Sequence, residues 1–157
     1  MLDELRLRVQ ELNQNRATFD AFLAQLDDAR WNQPVGAEKY TARQTMAHLA
    51  GAVKTMTRMG QNWVAGKDNT LRPDFDLNFF NARQQEKRAQ MSNVELVQEW
   101  HDGQQGVIAF METLGAADLE KCGEHPTAKQ IAVRDLFLII TTHEADHIRQ
   151  VMDAFAK

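Results

Sequence analysis

Long stretches with an apolar residue at every third or fourth position dominate this chain, and they restrict it to helical folds. Only 3 prolines and 8 glycines occur among the 157 residues, and they cluster between these stretches, where they are typical of helix ends and turns. The periodicity predicts helices at about residues 2–26, 41–65, 78–90, 92–114 and 132–154. No segment has a strand pattern. We therefore expect an all-α four-helix bundle with one additional shorter helix, built as a single domain over residues 1–157.

Two capping boxes predict where two of these helices begin. Thr41 is followed three residues later by Gln44, and Ser92 is followed in the same way by Glu95. At this spacing the hydroxyl of the first residue and the side chain of the second can each bond the other residue's backbone N–H. We therefore expect helices to start directly after Thr41 and Ser92.

A pair of histidines, His143 and His147, lies one helical turn apart in the segment TTHEADHIRQV. At this spacing two imidazoles project from one side of a helix and can reach the same ion. The predicted core stripe of this helix comprises Leu136, Ile140, His143, His147, Val151 and Ala154. Burying two unpaired imidazoles on such a stripe would cost on the order of a few kcal/mol.

A third candidate ligand, His48, lies on the apolar face of its own helix. Side chains from facing helices of a bundle converge on metal sites, and three histidine ligands with open positions are typical of catalytic centres. His48, His143 and His147 therefore predict a metal site. The alternative is that each is a core histidine bonded to a backbone carbonyl or a carboxylate.

The remaining histidines and the single cysteine stay outside the predicted site. We expect His101 to be solvated, because it borders the polar face of its helix. His125 precedes Pro126 in a segment that we expect to be irregular, and no spacing supports it as a ligand. Cys122, in the same segment, has no second cysteine with which to form a disulfide and is expected to be an inert thiol.

The letters HEADH also satisfy the His-Glu-x-x-His pattern of zinc proteases, in which the glutamate is the general base. The extended form of that pattern requires a glycine and a histidine where this chain has Gln150 and Asp153, so proteolysis is the least favoured interpretation. Glu144 and Asp146 can each orient an imidazole, accept a proton from metal-bound water or face solvent. For both residues we rank the catalytic-base role below the other two.

Charge and hydropathy argue against two classes of partner. The 18 basic residues are scattered among 22 acidic ones, which gives a net charge of -4 and no basic patch for a nucleic acid. No stretch is apolar enough to span a bilayer, and the charged first residues have no signal-peptide core. We expect a cytoplasmic protein without a membrane partner, and a homodimer through helix faces is a reasonable expectation.

The segment around residue 78 offers groups for substrate contact. Aromatic surface, an amide and a cation come from Phe75, Phe79, Phe80, Asn81 and Arg83. The alternative is that the aromatic side chains cap the bundle and that Arg83 pairs with an acid such as Glu86 or Asp76.

Three segments give the chain a resemblance to the DinB/YfiT-like family of metal-binding four-helix bundles: MAHLAGAV, PDFDLNFFNARQQEKR and HEADHIRQV. The resemblance covers nearly the whole chain. It implies that His48, His143 and His147 hold one divalent ion, either zinc or nickel, with manganese and iron as alternatives. Some relatives use a glutamate from the last helix as a ligand, which keeps Glu144 as an alternative ligand.

The resemblance also implies a class of chemistry. Some family members look like thiol S-transferases or isomerases that use bacillithiol, mycothiol or glutathione. We therefore expect a small-molecule substrate and a low-molecular-weight thiol that the metal activates, with hydrolysis by metal-bound water as the second expectation. The glycine that often follows the last histidine in this family is absent, since Ile148 and Arg149 stand there. A non-catalytic protein that binds a metal or small ligand, as a sensor or carrier, is the alternative.

Overall fold

A computed structural model describes residues 1–35, 40–67 and 70–156 of the chain. Its helices are α1 (Asp3–Leu23), α2 (Asp28–Trp31), α3 (Ala42–Val64), α4 (Leu77–Lys87), α5 (Asn93–Glu112), α6 (Ala116–Leu119) and α7 (Val133–Phe155). Its strands are β1 (Pro34–Val35), β2 (Tyr40–Thr41), β3 (Cys122–His125) and β4 (Lys129–Ala132).

The four long helices α1, α3, α5 and α7 form a bundle. Helix α3 packs against α5 and α7, and α1 packs against the same two helices, so the four surround one core. Phe19, Trp100 and Leu136 are among the fully buried side chains of this core. The prediction of an all-α four-helix bundle is confirmed. Within the described residues, no helix combines the length and the apolar character needed to cross a membrane.

Both predicted capping boxes are present. The Thr41 hydroxyl accepts a hydrogen bond of 3.0 Å from the backbone N–H of Gln44, whose side-chain oxygen accepts one of 2.9 Å from the Thr41 N–H. Ser92 and Glu95 form the equivalent pair of bonds at the start of α5. Because two otherwise unpaired donors are satisfied at the first turn, the start of α3 is fixed, and with it the position of His48.

The expectation that the chain has no strands is wrong. Strands β1 and β2 pair antiparallel, and β3 and β4 form a second antiparallel hairpin. Cys122 and His125, predicted to lie in an irregular segment, stand at the two ends of β3. The single-turn helices α2 and α6 are also additional to the prediction, which had α4 as its one shorter helix.

Close packing on α3 positions the second hairpin. A Cβ atom built at Gly123 would lie 2.0 Å from Nε1 of Trp63, so only a residue without a side chain fits there. The carboxylate of Glu124 accepts a 2.7 Å hydrogen bond from the backbone N–H of Leu71, in the segment between α3 and α4. Strand β4 then continues directly into α7. The hairpin therefore connects three parts of the molecule that meet beside the histidines.

Candidate metal centre

His48 on α3 and His143 and His147 on α7 come together in the bundle. The ring centroid of His48 lies 4.9 Å from that of His143 and 4.8 Å from that of His147, and the latter two are 4.6 Å apart. One potential ligand nitrogen from each ring lies within 4.8 Å of the other two. The Nε2 atoms of His48 and His143 are 2.9 Å apart. The three rings therefore converge, while their role as ligands stays a prediction.

The protonation state of this cluster fits a divalent cation. Burial lowers the pKa of His48 to about 4, with a further contribution from the nearby His147. Burial also lowers the pKa of His143 to about 3, and His147, His48 and His125 add to that shift. Near neutral pH, His48 and His143 are therefore uncharged, which is the form of imidazole that binds a metal.

The hydrogen bonds of His143 argue against its being an ordinary core histidine. Its Nε2 faces another imidazole, and its buried Nδ1 has no hydrogen-bond partner in the described part of the chain. An ordinary core histidine would bond a backbone carbonyl or a carboxylate, and His143 bonds neither. The ring thus keeps unused ligand capacity, which fits a bound ion.

The buried face of α7 differs from the predicted one. Leu136, Ile140 and Val151 are buried as expected, but Glu144 and Ile148 occupy the core where His143 and His147 were predicted. The two histidines lie beside that face and are only partly buried. The reason is that Glu144 is a core residue, whereas a hydrophobic periodicity assigns every carboxylate to the outside. The histidines are consequently accessible from one side of the helix.

Glu144 is held by side chains of α5. Trp100 Nε1 donates a 2.9 Å hydrogen bond to Oε1 of Glu144, and Gln104 Nε2 donates one of 2.8 Å to Oε2. The side chain is 1% exposed, so the option in which it faces solvent is wrong. Burial raises the pKa of this carboxyl to about 7, although these hydrogen bonds and the nearby Asn15 and Arg16 oppose the shift. Glu144 does not belong to the cluster of potential ligand groups.

Asp146, the other acid of the HEADH segment, points to the surface. Its side chain is exposed and pairs with Arg149 at 3.2 Å. Solvent exposure was one of the three options predicted for it. Both acids of the protease-like pattern are thus engaged outside the histidine cluster, and the general base that a zinc protease would require from Glu144 is bonded to α5.

Two cavities adjoin the histidines. The first has a volume of about 330 Å³ and mainly apolar walls, contributed by Ala52, Met56, Met59, Leu71, Phe75, Leu77, Phe80 and Ile139. Its polar lining comes from His48, Thr55, Asn81, His125, Thr127 and His143. The second has a volume of about 560 Å³ and is lined by Tyr40, His48, Asn78, Asn81, His143 and His147. Apolar walls with a few polar groups are typical of small-molecule sites.

The segment predicted to contact substrate divides between two environments. Phe75, Phe80 and Asn81 line the first cavity, and their contact with a substrate stays a prediction. Phe79 is 67% exposed, and Arg83 pairs with Glu86 at 2.7 Å, which was the alternative prediction for that arginine.

The two histidines left out of the predicted site have different surroundings. His101 is not simply solvated, because its Nε2 lies 2.9 Å from Oδ1 of Asp20 on α1. His125 is buried and lines the first cavity. Its position depends on the packing of a hairpin that no sequence periodicity predicts, and the chain offers no spacing signal that could have identified it.

Comparison with known proteins gives one family and several related folds. The sequence model of the DinB superfamily matches residues 11–151. No curated protein sequence matches the chain. The structure of YfiT from Bacillus subtilis matches this chain with a TM-score of 0.80 and 18% identity, over 98% of this chain and 87% of YfiT. YfiT is described as a probable metal-dependent hydrolase with an unusual four-helix bundle topology.

Two further structures share the fold. A variant of the mycothiol-dependent maleylpyruvate isomerase has a TM-score of 0.77 and 9% identity, and the match covers 96% of this chain but 63% of the isomerase. An uncharacterised protein from Clostridium difficile 630 has a TM-score of 0.76 and 11% identity, over 98% and 96% of the two chains. At these identities the likeness establishes the bundle and leaves activity to be argued from the site.

Proposed function

Because the chain belongs to the DinB superfamily, we propose that it is a metal-dependent enzyme acting on a small molecule, with His48, His143 and His147 holding one divalent ion. The observation that carries this proposal is the convergence of the three rings, each offering a nitrogen within 4.8 Å of the others, beside an apolar cavity. Imidazole ligands suit zinc and nickel, which are the ions we expect first, ahead of manganese and iron.

The cavities suggest how two reactants are accommodated. A divalent ion held by imidazoles supplies a Lewis acid that lowers the pKa of a thiol or water bound to it. His48, Asn81 and His143 border both cavities, so two molecules can reach the histidines from different sides. The apolar cavity suits an electrophilic substrate, while the cavity lined by Tyr40 and Asn78 suits a hydrophilic thiol.

Thiol transfer is the first proposal and hydrolysis the second. Hydrolysis requires a group that accepts a proton from water, and in the described residues the cluster of potential ligand groups contains histidines but no carboxylate. A thiol depends less on such a proton acceptor, because its own pKa lies much closer to neutrality than that of water. The fold shared with a mycothiol-dependent isomerase supports the first proposal, and the fold shared with YfiT supports the second.

Metal content tests the site. We would measure it by elemental analysis of native protein purified without nickel resin, beside the variants His48→Ala, His143→Ala and His147→Ala. The expected result is one ion per chain in the native protein and its loss in each variant. His101→Ala is the matched control and should retain the ion, because His101 pairs with Asp20 outside the cluster. An ion that survives in all three variants would contradict the proposal.

Turnover tests the reaction. Metal-loaded protein is incubated with bacillithiol, mycothiol or glutathione and a panel of model electrophiles, and in parallel with esters and amides. Thiol-dependent turnover that His143→Ala abolishes in a folded protein supports transfer, whereas turnover without thiol supports hydrolysis. Metal binding without either activity would indicate a sensor or carrier.

A homodimer is a further part of the proposal. Leu7 on α1 and Leu138 on α7 are 49% and 46% exposed and line one surface depression between these helices. Light scattering after size exclusion should give twice the chain mass for the native protein, and Leu138→Glu should shift it toward the monomer. A monomeric native protein would contradict this part of the proposal.

A further inference from the structure

The hairpin turn holds His125 in one tautomer. Its Nδ1 lies 3.3 Å from the backbone nitrogen of Thr127 and 3.3 Å from that of Ala128, with the Thr127 hydroxyl at 3.2 Å. A backbone N–H can only donate, so Nδ1 must be the acceptor and carries no proton. Burial lowers the pKa of His125, which favours the neutral ring near pH 7. A neutral imidazole with a bare Nδ1 carries its proton on Nε2.

The donor formed in this way belongs to the wall of the apolar cavity. His125 is 9% exposed and lines the cavity of about 330 Å³ together with His48 and His143. Within the described chain, the hydrogen bonds of His125 all use Nδ1. The Nε2–H is thus left for a ligand.

The rest of the cavity defines what such a ligand resembles. Met56, Phe75, Phe80 and Ile139 supply apolar and aromatic walls, and no lysine or arginine of the described residues lines it. The Thr55 hydroxyl is already used, because it donates a 2.9 Å hydrogen bond to the carbonyl of Gly51. Away from the three clustered histidines, the lining therefore favours an uncharged apolar group, because a carboxylate or phosphate there would be buried without a counter-charge from the described side chains.

We propose that this cavity binds an uncharged apolar or aromatic group bearing one hydrogen-bond acceptor, such as a carbonyl oxygen, and that the Nε2–H of His125 donates to that acceptor. The inference rests on the proposed function only in taking this group to be part of the substrate. His125 then selects and positions the substrate beside the three histidines. A ligand without the acceptor would leave the donor buried and unpaired, which is how the site discriminates.

Two substitutions separate this role from the role of His125 in the turn. His125→Asn keeps a side-chain oxygen that can accept from the Thr127 and Ala128 N–H groups, but its amide nitrogen lies closer to the backbone, so no donor remains at the position of the imidazole Nε2. His125→Gln places an amide donor near the position of the imidazole Nε2, while the turn loses its acceptor. If His125 only supports the turn, His125→Gln should weaken ligand binding more than His125→Asn does. If His125 donates to the ligand, His125→Asn should weaken binding more.

Acetophenone and ethylbenzene are the probes, since they have similar shapes and only the first has a carbonyl acceptor. Their affinities for the native protein and both variants are measured by NMR titration, in the zinc-loaded and in the metal-free form. We expect His125→Asn to weaken acetophenone about three- to tenfold, the range for losing one hydrogen bond. His125→Gln should weaken acetophenone binding less than twofold, and ethylbenzene should bind His125→Asn at least as tightly as the native protein, because no donor is then left unpaired.

The outcomes are decisive in both directions. Equal weakening of both probes by His125→Asn, or no weakening of either, would overturn the proposal. So would a nitrogen-15 NMR spectrum showing the proton of His125 on Nδ1. If the acetophenone pattern appears in metal-free protein and no ion binds, the cavity assignment stands and the metal-dependent function fails. If an ion binds and acetophenone does not, the metal-dependent function stands and the cavity assignment fails.

Discussion

The indole of Trp100 donates a 2.9 Å hydrogen bond to the carboxylate of Glu144, which directly follows His143 along α7. Both side chains are buried, at 0% and 1% exposure. The bond joins α5 to α7 one residue from a candidate metal ligand. The orientation of α7, and with it that of His143 and His147, therefore depends on a polar contact inside the core.

Trp100→Phe tests this contact. Phenylalanine keeps an aromatic ring in the core but removes the donor, so Glu144 loses one of its hydrogen bonds. We expect the free energy of unfolding to fall by about 1–3 kcal/mol, the range for leaving a buried polar group unsatisfied. Urea denaturation measures this loss. Trp31→Phe, at another buried tryptophan, is the control for the change in ring size, and an equal loss there would show that the Trp100 bond contributes nothing.

The buried carboxyl of Glu144 predicts a pH dependence of stability. Its pKa is raised from 4.5 to about 7 in the folded protein. Below about pH 4.5 the carboxyl is protonated in the folded and in the unfolded protein, and its full contribution to the free energy of unfolding is present. As the pH rises, the carboxyl ionises first in the unfolded protein, so stability is lost up to about pH 7. For a shift of this size the loss is about 3 kcal/mol.

The variant Glu144→Gln removes that titration. The new amide can donate to Oε1 of Gln104 once the Gln104 amide is reversed, although that reversal gives up the 3.3 Å bond from Gln104 Nε2 to the Leu12 carbonyl. Stability is measured by urea denaturation in the presence of a metal chelator. Between about pH 4.5 and pH 7, we expect the wild-type protein to lose stability relative to this variant. Asp146→Asn, at an exposed position, should follow wild type. Parallel curves for wild type and Glu144→Gln would show that Glu144 does not titrate in this range.

Gly123→Ala should displace the second hairpin. The added Cβ would lie 2.0 Å from Nε1 of Trp63, and relieving such an overlap costs about 1–3 kcal/mol. Because the same strand carries His125, acetophenone binding should weaken as well. Gly106→Ala is the matched control, since a Cβ there meets nothing within 4 Å. At that helical position alanine should stabilise the protein by about 1 kcal/mol. A Gly123→Ala protein as stable as wild type would show that the hairpin adjusts freely.

Metal removal should lower thermal stability. An ion that binds only the folded protein stabilises it by about 2.7 kcal/mol at a free concentration 100 times its dissociation constant. We therefore expect a chelator to lower the melting temperature measured by circular dichroism, and added zinc to restore it. His48→Ala should not respond to either. A wild-type protein that contains metal by elemental analysis and keeps its melting temperature after that metal is removed would contradict the prediction.

Local patterns account for the parts of this fold that the sequence predicts. The capping boxes at Thr41 and Ser92 depend on residues three positions apart, and both form. The one-turn spacing of His143 and His147 depends only on helical geometry, and the centroids of the two rings lie 4.6 Å apart. His48 could be included in the predicted metal site because a four-helix bundle brings facing helices together.

Contacts between distant segments account for what the sequence does not predict. Glu144 lies in the core because Trp100 and Gln104, some 40 residues earlier, satisfy its oxygens, and no periodicity contains that information. The hairpin with His125 forms against Trp63, where the absence of a side chain at Gly123 allows close approach. A four-residue strand has too short a pattern to be recognised without that partner.

The direct junction between β4 and α7 limits how the length of this protein can change. Strand β4 ends at Ala132 and α7 begins at Val133, so no loop separates the hairpin from the helix that carries His143 and His147. One residue inserted at this junction would turn every later side chain of α7 by about 100° relative to the hairpin. A change of length at this junction would therefore disturb the site, and the junction should keep a constant length in any functional descendant of this chain.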